Sequence, residues 1–362
     1  MPMQTLKPET VAALRRNLLA WYAESRRDLP WRRTKDPYAI WVSEIMLQQT
    51  RVAAVVDRFQ LFLARFPNVE ELAAATEQDI LALWSGLGYY RRARMLHSAA
   101  RMLVARGLNS LPASAAELRA LPGIGAYTAA AIASIAQGEA VAVVDGNVER
   151  VLCRLMRWSM DADAATMRRK IERVAAQLVH PQQPGDFNQA MMELGATVCL
   201  PRGPRCTECP LHTHCLTRGE HKTRPRAAMQ TREIAHALAV RVGPAGQGRE
   251  VLLEQRSSSQ TVMPGLWELP ALRNISIPES ELRMTVRHSI MQVNYTVRIR
   301  NVSEGDAKAI TAPAGRRRWV PVHIAAQMPL TGLARKVLSR ANLLPAPRLD
   351  STSLLVLEDR AP

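Results

Sequence analysis

Four of the five cysteines in this 362-residue chain crowd into one stretch, Cys199-x6-Cys206-x2-Cys209-x5-Cys215. A fold that brings four thiols together at such spacing is built around one metal centre. Disulfide scaffolds are short and spread their cysteines throughout, whereas the rest of this chain holds only Cys153. A reducing compartment follows. Thiolate quartets serve tetrahedral zinc as well as iron–sulfur clusters. Zinc ribbons usually carry two CxxC knuckles; here there is one, Cys206-Thr-Glu-Cys209, with unequal loops beside it, so the pattern favours a 4Fe-4S cluster and leaves zinc as the rival. His212 and His214 fall between the last two cysteines and read as solvated loop residues, since four thiolates already complete a site.

The charge indicates what such a fold would touch. With 48 Lys+Arg against 32 Asp+Glu the formal net charge is +16, which points to a polyanion, nucleic acid first, rather than a small acidic metabolite. Charge alone leaves open a merely soluble basic protein. At 47% hydrophobic residues the chain buries a large core, and its length predicts two domains. The longest apolar run, around Ala126–Ala136, is too short for a membrane span and contains Tyr127, Thr128 and Ser134. The opening Met1–Lys7 lacks the apolar core of a secretory signal, so a cytoplasmic location is expected; nucleoid association and a monomeric state are separate expectations.

Up to about Arg218 the period is helical. Val11, Leu14, Leu18 and Tyr22 recur at helical spacing, and Ile80, Leu81, Leu83 and Trp84 mark another amphipathic turn. Beyond a polar bridge the period changes to two: Val293, Tyr295, Val297 and Ile299 alternate with polar residues, and Ile234–Val242 and Val251–Leu253 are strand-like. The expected boundaries are 1–218 for a helical domain, 219–231 for a linker, 232–345 for a mixed α+β domain and 346–362 for a loose tail.

A second motif is Leu121-Pro-Gly-Ile-Gly-Ala-Tyr-Thr-Ala-Ala-Ala-Ile132. Gly123 and Gly125 let backbone approach a phosphate, and the Ala-rich helix behind them aims free N–H groups and its positive end at the anion. With Ala115–Ala120 as its first helix, this is a helix-hairpin-helix clamp, which positions DNA without reading bases. An ordinary glycine-rich helix turn is the bland alternative. Twenty residues on, Val144-Asp-Gly-Asn147 places Asp145 where a helix N-cap would stand.

A helix-hairpin-helix, an aspartate about twenty residues beyond it and a four-cysteine loop, in that order, resemble the endonuclease III superfamily of DNA base-excision glycosylases. Within it the chain is most similar to the adenine-specific glycosylases of the MutY family, through Leu29-Pro-Trp-Arg32, Asp36-Pro-Tyr38, Trp41-Val-Ser-Glu-Ile-Met-Leu-Gln-Gln-Thr50, Gly86-Leu-Gly-Tyr-Tyr90, the clamp, Val144–Asn147 and Phe187-Asn-Gln-Ala190. The resemblance implies hydrolysis of adenine from an A:8-oxoguanine or A:G mispair in double-stranded DNA. The chemistry asks for two carboxyl groups in opposite states. Glu44, among Trp41, Val42, Ile45 and Met46, would be kept protonated by desolvation as general acid. Asp145, at a helix start whose dipole favours the anion, would stabilise the sugar cation, oriented by Asn147. From the residues alone a solvated helix glutamate fits position 44 equally well; the motif favours the acid.

Lyase-type relatives carry a lysine where this chain has Tyr127, which implies a monofunctional enzyme, with Tyr127 near the active carboxylates. The resemblance also assigns Gln49 and Tyr89, with Leu87 nearby, to the wedge beside the lesion, and Arg32 and Gln189 to the adenine pocket. Arg91, Arg92, Arg94, Arg202 and Arg205 read as phosphate contacts. The C-terminal half resembles a Nudix-like lesion-recognition module through Met263-Pro-Gly-Leu-Trp-Glu-Leu-Pro270 and Pro329-Leu-Thr-Gly-Leu-Ala-Arg-Lys336, without the carboxylate-rich helix that holds magnesium in active Nudix hydrolases. Its 8-oxoguanine loop reads Phe-Ser-His in the family and Arg287-His-Ser-Ile-Met291 here, keeping Ser289.

Overall fold

Leu14, Leu18 and Tyr22 lie one helical turn apart, and all three are buried on one side of the first helix, α1 (Pro8–Ser25). They meet Val151, Leu152, Ile171, Val174, Phe187 and Leu194 in a single core. The computed structural model describes residues 6–158, 163–220, 228–246, 248–310 and 316–344. Most of the expected linker (221–227) and the whole expected tail lie outside the described residues.

Helices follow as α2 (Pro37–Leu47), α3 (Val52–Arg65), α4 (Val69–Ala74), α5 (Glu77–Leu83), α6 (Arg91–Ala105), α7 (Ala115–Leu118), α8 (Ala126–Gln137), α9 (Gly146–Leu155), α10 (Ala164–Leu178) and α11 (Pro184–Thr197). Helix α2 is buried on every side from Tyr38 to Met46, so a polar residue within it is forced inside. Asp36 starts it, accepting from the Tyr38 and Ala39 amides. The first helix of the hairpin is shorter than the sequence suggests: α7 is a single turn, opened by a capping box between Ser114 and Glu117 and halted before the Pro122–Gly123 turn. In α11, the Asn188 amide donates to Ser134 Oγ and the Val141 carbonyl and accepts from the Val143 N–H, which pins the chain entering Asp145.

The later residues form strands β1 (Gln230–Val242), β2 (Arg249–Gln255), β3 (Trp267–Glu268), β4 (Ala271–Leu272), β5 (Leu282–Ile290), β6 (Val293–Val302) and β7 (Arg316–Pro321), with helices α12 (Glu304–Ala309), α13 (Val322–Ala325) and α14 (Gly332–Arg340). The sheet is mixed: its path is β3-β2-β1-β6-β5, β1 running parallel to β6 and antiparallel to β2, with β4 on β1 and β7 on β2. Val286, Val297 and Ile299 pack against Leu333, Val337 and Leu338 of α14. Two compact units result: residues 1–77 with 91–226, and residues 78–90 with 227–362. The N-terminal unit is therefore discontinuous, since the excursion 78–90 groups with the C-terminal sheet. Among the described residues no helix is long and apolar enough to cross a membrane.

Candidate active site

A cleft of about 220 Å³ opens in the N-terminal unit, lined by Glu44, Tyr127, Asp145, Asn147, Arg32 and Gln189 among others. Glu44 reaches it from the all-buried α2 and is itself only 6% exposed. Burial pushes its carboxyl up to about 7; a hydrogen bond from Tyr127 and the Arg32 charge oppose the rise, and the Asp145 charge adds to it. The Tyr127 hydroxyl donates to Glu44 Oε2 at 2.7 Å and also contacts Met192 Sδ at 3.4 Å. Burial and the neighbouring carboxylates hold the Tyr127 phenol well above its ordinary range, so it stays a neutral donor.

Asp145 is the N-cap of α9. Its Oδ1 accepts from the Val148 N–H at 2.7 Å and its Oδ2 from Asn147 Nδ2 at 2.8 Å. Asn147 Oδ1 in turn accepts from Arg150 Nη2 at 2.9 Å, and Arg150 Nε donates to the Cys199 carbonyl at 2.8 Å. The aspartate is thus oriented by a chain of donors that ends in the cysteine loop. Asn147 fits only because residue 195 lacks a side chain: a Cβ at Gly195 would stand 2.5 Å from Asn147 Cβ. Gly195→Ala is expected to destabilise the chain by about 1–3 kcal/mol and to displace Asn147 from Asp145, measured by thermal melting alongside catalytic rate.

A buried carboxyl raised to about 7 and a capped aspartate thus share one cleft. The family model described as HhH-GPD superfamily base excision DNA repair protein matches residues 42–177. Over 386 aligned residues the chain is 35% identical to the adenine DNA glycosylase of Homo sapiens, an alignment taking in 86% of this chain and 70% of that protein. The chain belongs to the adenine DNA glycosylase family. Among solved structures it is similar to a thermostable thymine-DNA glycosylase (TM-score 0.54, 28% identity, 58% of this chain and 97% of that one). It also shares its fold with endonuclease III trapped in a covalent complex with DNA (TM-score 0.51, 21% identity, 59% of this chain and 98% of that one).

In this family member a third carboxylate, not anticipated from the sequence, lines the cleft. Glu193 is 1% exposed. Burial raises its carboxyl, but hydrogen bonds from Arg27 and Arg32 overcome that and hold it at about 2. Arg27 grips it with Nε and Nη2, each at 2.7 Å, and Arg32 Nη2 adds a bond at 2.8 Å. The partners are more than 160 residues apart in sequence, so no local signal announces the cluster. Arg92 is a correction. Instead of facing solvent, its guanidinium donates to the Ile45, Met46 and Gln48 carbonyls and to Thr50 Oγ1, closing the end of α2 that carries Glu44. Arg94 pairs with Glu77 at 2.8 Å.

Gln49 is exposed, in a left-handed turn just after α2 (φ 55°). Tyr89, also left-handed (φ 47°), is 48% exposed, whereas Leu87 is 4% exposed and its side chain is turned into packing. Gly123 needs its φ of 77°, and a Cβ there would strike Met95; Gly125 is the N-cap of α8, whose first amides no side chain caps. Ser289 sits on β5 and donates to Asn294 Oδ1 at 2.6 Å across the hairpin.

The four cysteines form no disulfide and line one small pocket, with Val151, Leu155, Leu194 and Leu211 among its apolar walls and His212 at its side. Arg154, itself buried, donates to Cys199 Sγ at 3.3 Å. Among the described residues no three His, Cys, Asp or Glu side chains converge as ligands of a single ion. The donor chemistry, the shared pocket and the cationic donor fit the cluster.

Proposed function

We propose that this cleft hydrolyses the N-glycosidic bond of adenine mispaired with 8-oxoguanine or guanine in double-stranded DNA, leaving an abasic site. The observation that carries the reading is the pair Glu44 and Asp145 in one cleft, the first buried with its carboxyl raised to about 7, the second held by an amide and by Asn147. The target nucleotide leaves the stack to enter the cleft. Glu44 gives its proton to N7 of adenine; the C1′–N9 bond breaks and its electron pair leaves with the base. Asp145 stabilises the sugar cation, water adds to C1′, and the proton that water loses is taken up by a carboxylate of the cleft. Tyr127 holds Glu44 in place, and Arg32 and Gln189 border the space for the base.

Lyase chemistry needs an amine nucleophile, and the described residues lining the cleft include no lysine. This supports a monofunctional glycosylase. The net charge of +16 and the uncapped start of α8 behind Gly123 and Gly125 support DNA as partner, and Gln49, exposed in its left-handed turn, suits a wedge residue. The C-terminal unit, read as a Nudix-like module, would present Ser289 at the hairpin to 8-oxoguanine. Duplexes carrying A opposite 8-oxoguanine, G, C or T, treated with the protein and then with alkali, test the whole: cleavage only after alkali and only in the first two is expected. Cleavage without alkali, or a borohydride-trapped adduct, would show a lyase instead.

The cysteine pocket is proposed to hold a 4Fe-4S cluster through Cys199, Cys206, Cys209 and Cys215, which when bound staples the loop after α11. Protein purified without oxygen is expected to be brown, and Cys206→Ser to bleach its visible absorption and lower the yield of folded chain. A colourless, zinc-containing protein would overturn the cluster.

A further inference from the structure

The late motif Pro329-Leu-Thr-Gly-Leu-Ala-Arg-Lys336 holds the segment 85–90 by two hydrogen bonds. The Tyr90 hydroxyl donates to the Leu330 carbonyl at 2.9 Å, and Arg335 Nε, from α14, donates to Ser85 Oγ at 3.1 Å. Tyr90 is 3% exposed and Ser85 fully buried, so both bonds are shielded from water, where losing a partner costs most. Between these two anchors the chain makes an irregular loop with Gly86 (φ 99°), Gly88 (φ 67°) and Tyr89 (φ 47°) all left-handed. Trp84 Nε1 ties it inwardly to the Gly88 carbonyl at 3.1 Å. Left-handed backbone at a tyrosine persists only where the surroundings over-determine it. The anchors at both ends do that, and they leave the Tyr89 ring as the exposed product of the loop. This also explains why residues 78–90 group with the C-terminal unit.

We propose that the Leu330–Arg335 turn is a clasp that sets the backbone of the 84–90 loop and so the presentation of Tyr89 to DNA. Tyr90, Ser85 and Arg335 are then positioning residues; the DNA half of the statement rests on the function proposed above. Two measurements on the full chain separate the halves. In DNA-free protein, Tyr90→Phe and Arg335→Ala are expected to speed amide hydrogen exchange across residues 85–90 while leaving α2 and α9 protected. Unchanged exchange in both variants would overturn the clasp whatever the chemistry proves to be. In single-turnover adenine release from an A:8-oxoguanine duplex, Tyr90→Phe is expected to raise the half-saturating concentration by up to about tenfold with the midpoint of the pH profile unmoved. In a Tyr89→Ala background the same change is expected to add almost nothing. Fully additive losses would overturn the link to Tyr89. An unmodified chain that releases no adenine while exchange responds as expected would sink the proposed function and spare the clasp.

Discussion

Glu44→Gln is expected to cut adenine release by between about 10² and 10⁴-fold, the range for a lost general acid, while duplex affinity is retained. Gln has nearly the same shape and accepts from Tyr127 as before, but it has no proton to give. The unmodified enzyme should show the matching pH dependence. Its working form is the protonated one, so the single-turnover rate is expected to level off at low pH and to fall about tenfold per unit above pH 7 or so, where Glu44 ionises. Stability should also fall as pH rises, in a lower window. The carboxyl is raised in the fold, so the native chain keeps a proton that the unfolded chain sheds near the ordinary 4.5. Stability therefore declines as pH rises from about 4.5 to about 7, and above that the fold carries a buried charge. Glu44→Gln removes that cost: at pH 8 the variant is expected to be more stable than the parent by on the order of 3 kcal/mol, with the gain gone below pH 4.5. Denaturant unfolding at the two pH values checks it. Equal activity at all pH values would remove Glu44 from the chemistry.

Asp145→Asn is the second large effect, and it separates catalysis from folding at one residue. Asparagine caps a helix about as well as aspartate, so the bond from the Val148 N–H survives; only the bond from Asn147 Nδ2 is lost, and stability should fall by no more than about 1 kcal/mol. The anion facing the sugar is lost, and a rate loss of about 10³-fold or more is expected. Asp145→Ala forfeits the cap too and should add a stability loss of about 1 kcal/mol, seen in thermal melts. The double variant Glu44→Gln/Asp145→Asn is expected to be scarcely slower than the worse single one, because two groups acting on one bond do not add. Normal turnover by Asp145→Asn would break the proposed reaction.

Much of the cleft was legible before any coordinates. Glu44 stands in the apolar run of α2, Asp145 one residue before a helix, Tyr127 just inside the helix behind the clamp, and all three line one cleft with Asn147, Arg32 and Gln189. The helical face of Leu14, Leu18 and Tyr22 and the alternation from Val293 to Ile299 were likewise readable, because burial on one face writes its period into the sequence. The guanidinium that closes α2 is not legible in the sequence, since Arg92 next to Arg91 and Arg94 looks like a surface cluster until the fold brings Ile45 and Met46 to it. The Glu193–Arg27–Arg32 cluster was missed altogether.

The sequence by itself determined which segments could be helix or strand, where turns needed glycine, and which carboxyl, amide and thiol groups were available, since these depend on neighbours along the chain. Only the tertiary structure decided the charge states. Glu44 and Glu193 are both buried glutamates in one cleft, yet one is raised to about 7 and the other held at about 2. The difference is two arginines within hydrogen-bond reach of Glu193. Desolvation and Coulomb forces act across space, and the distances that set them exist only once the chain has folded.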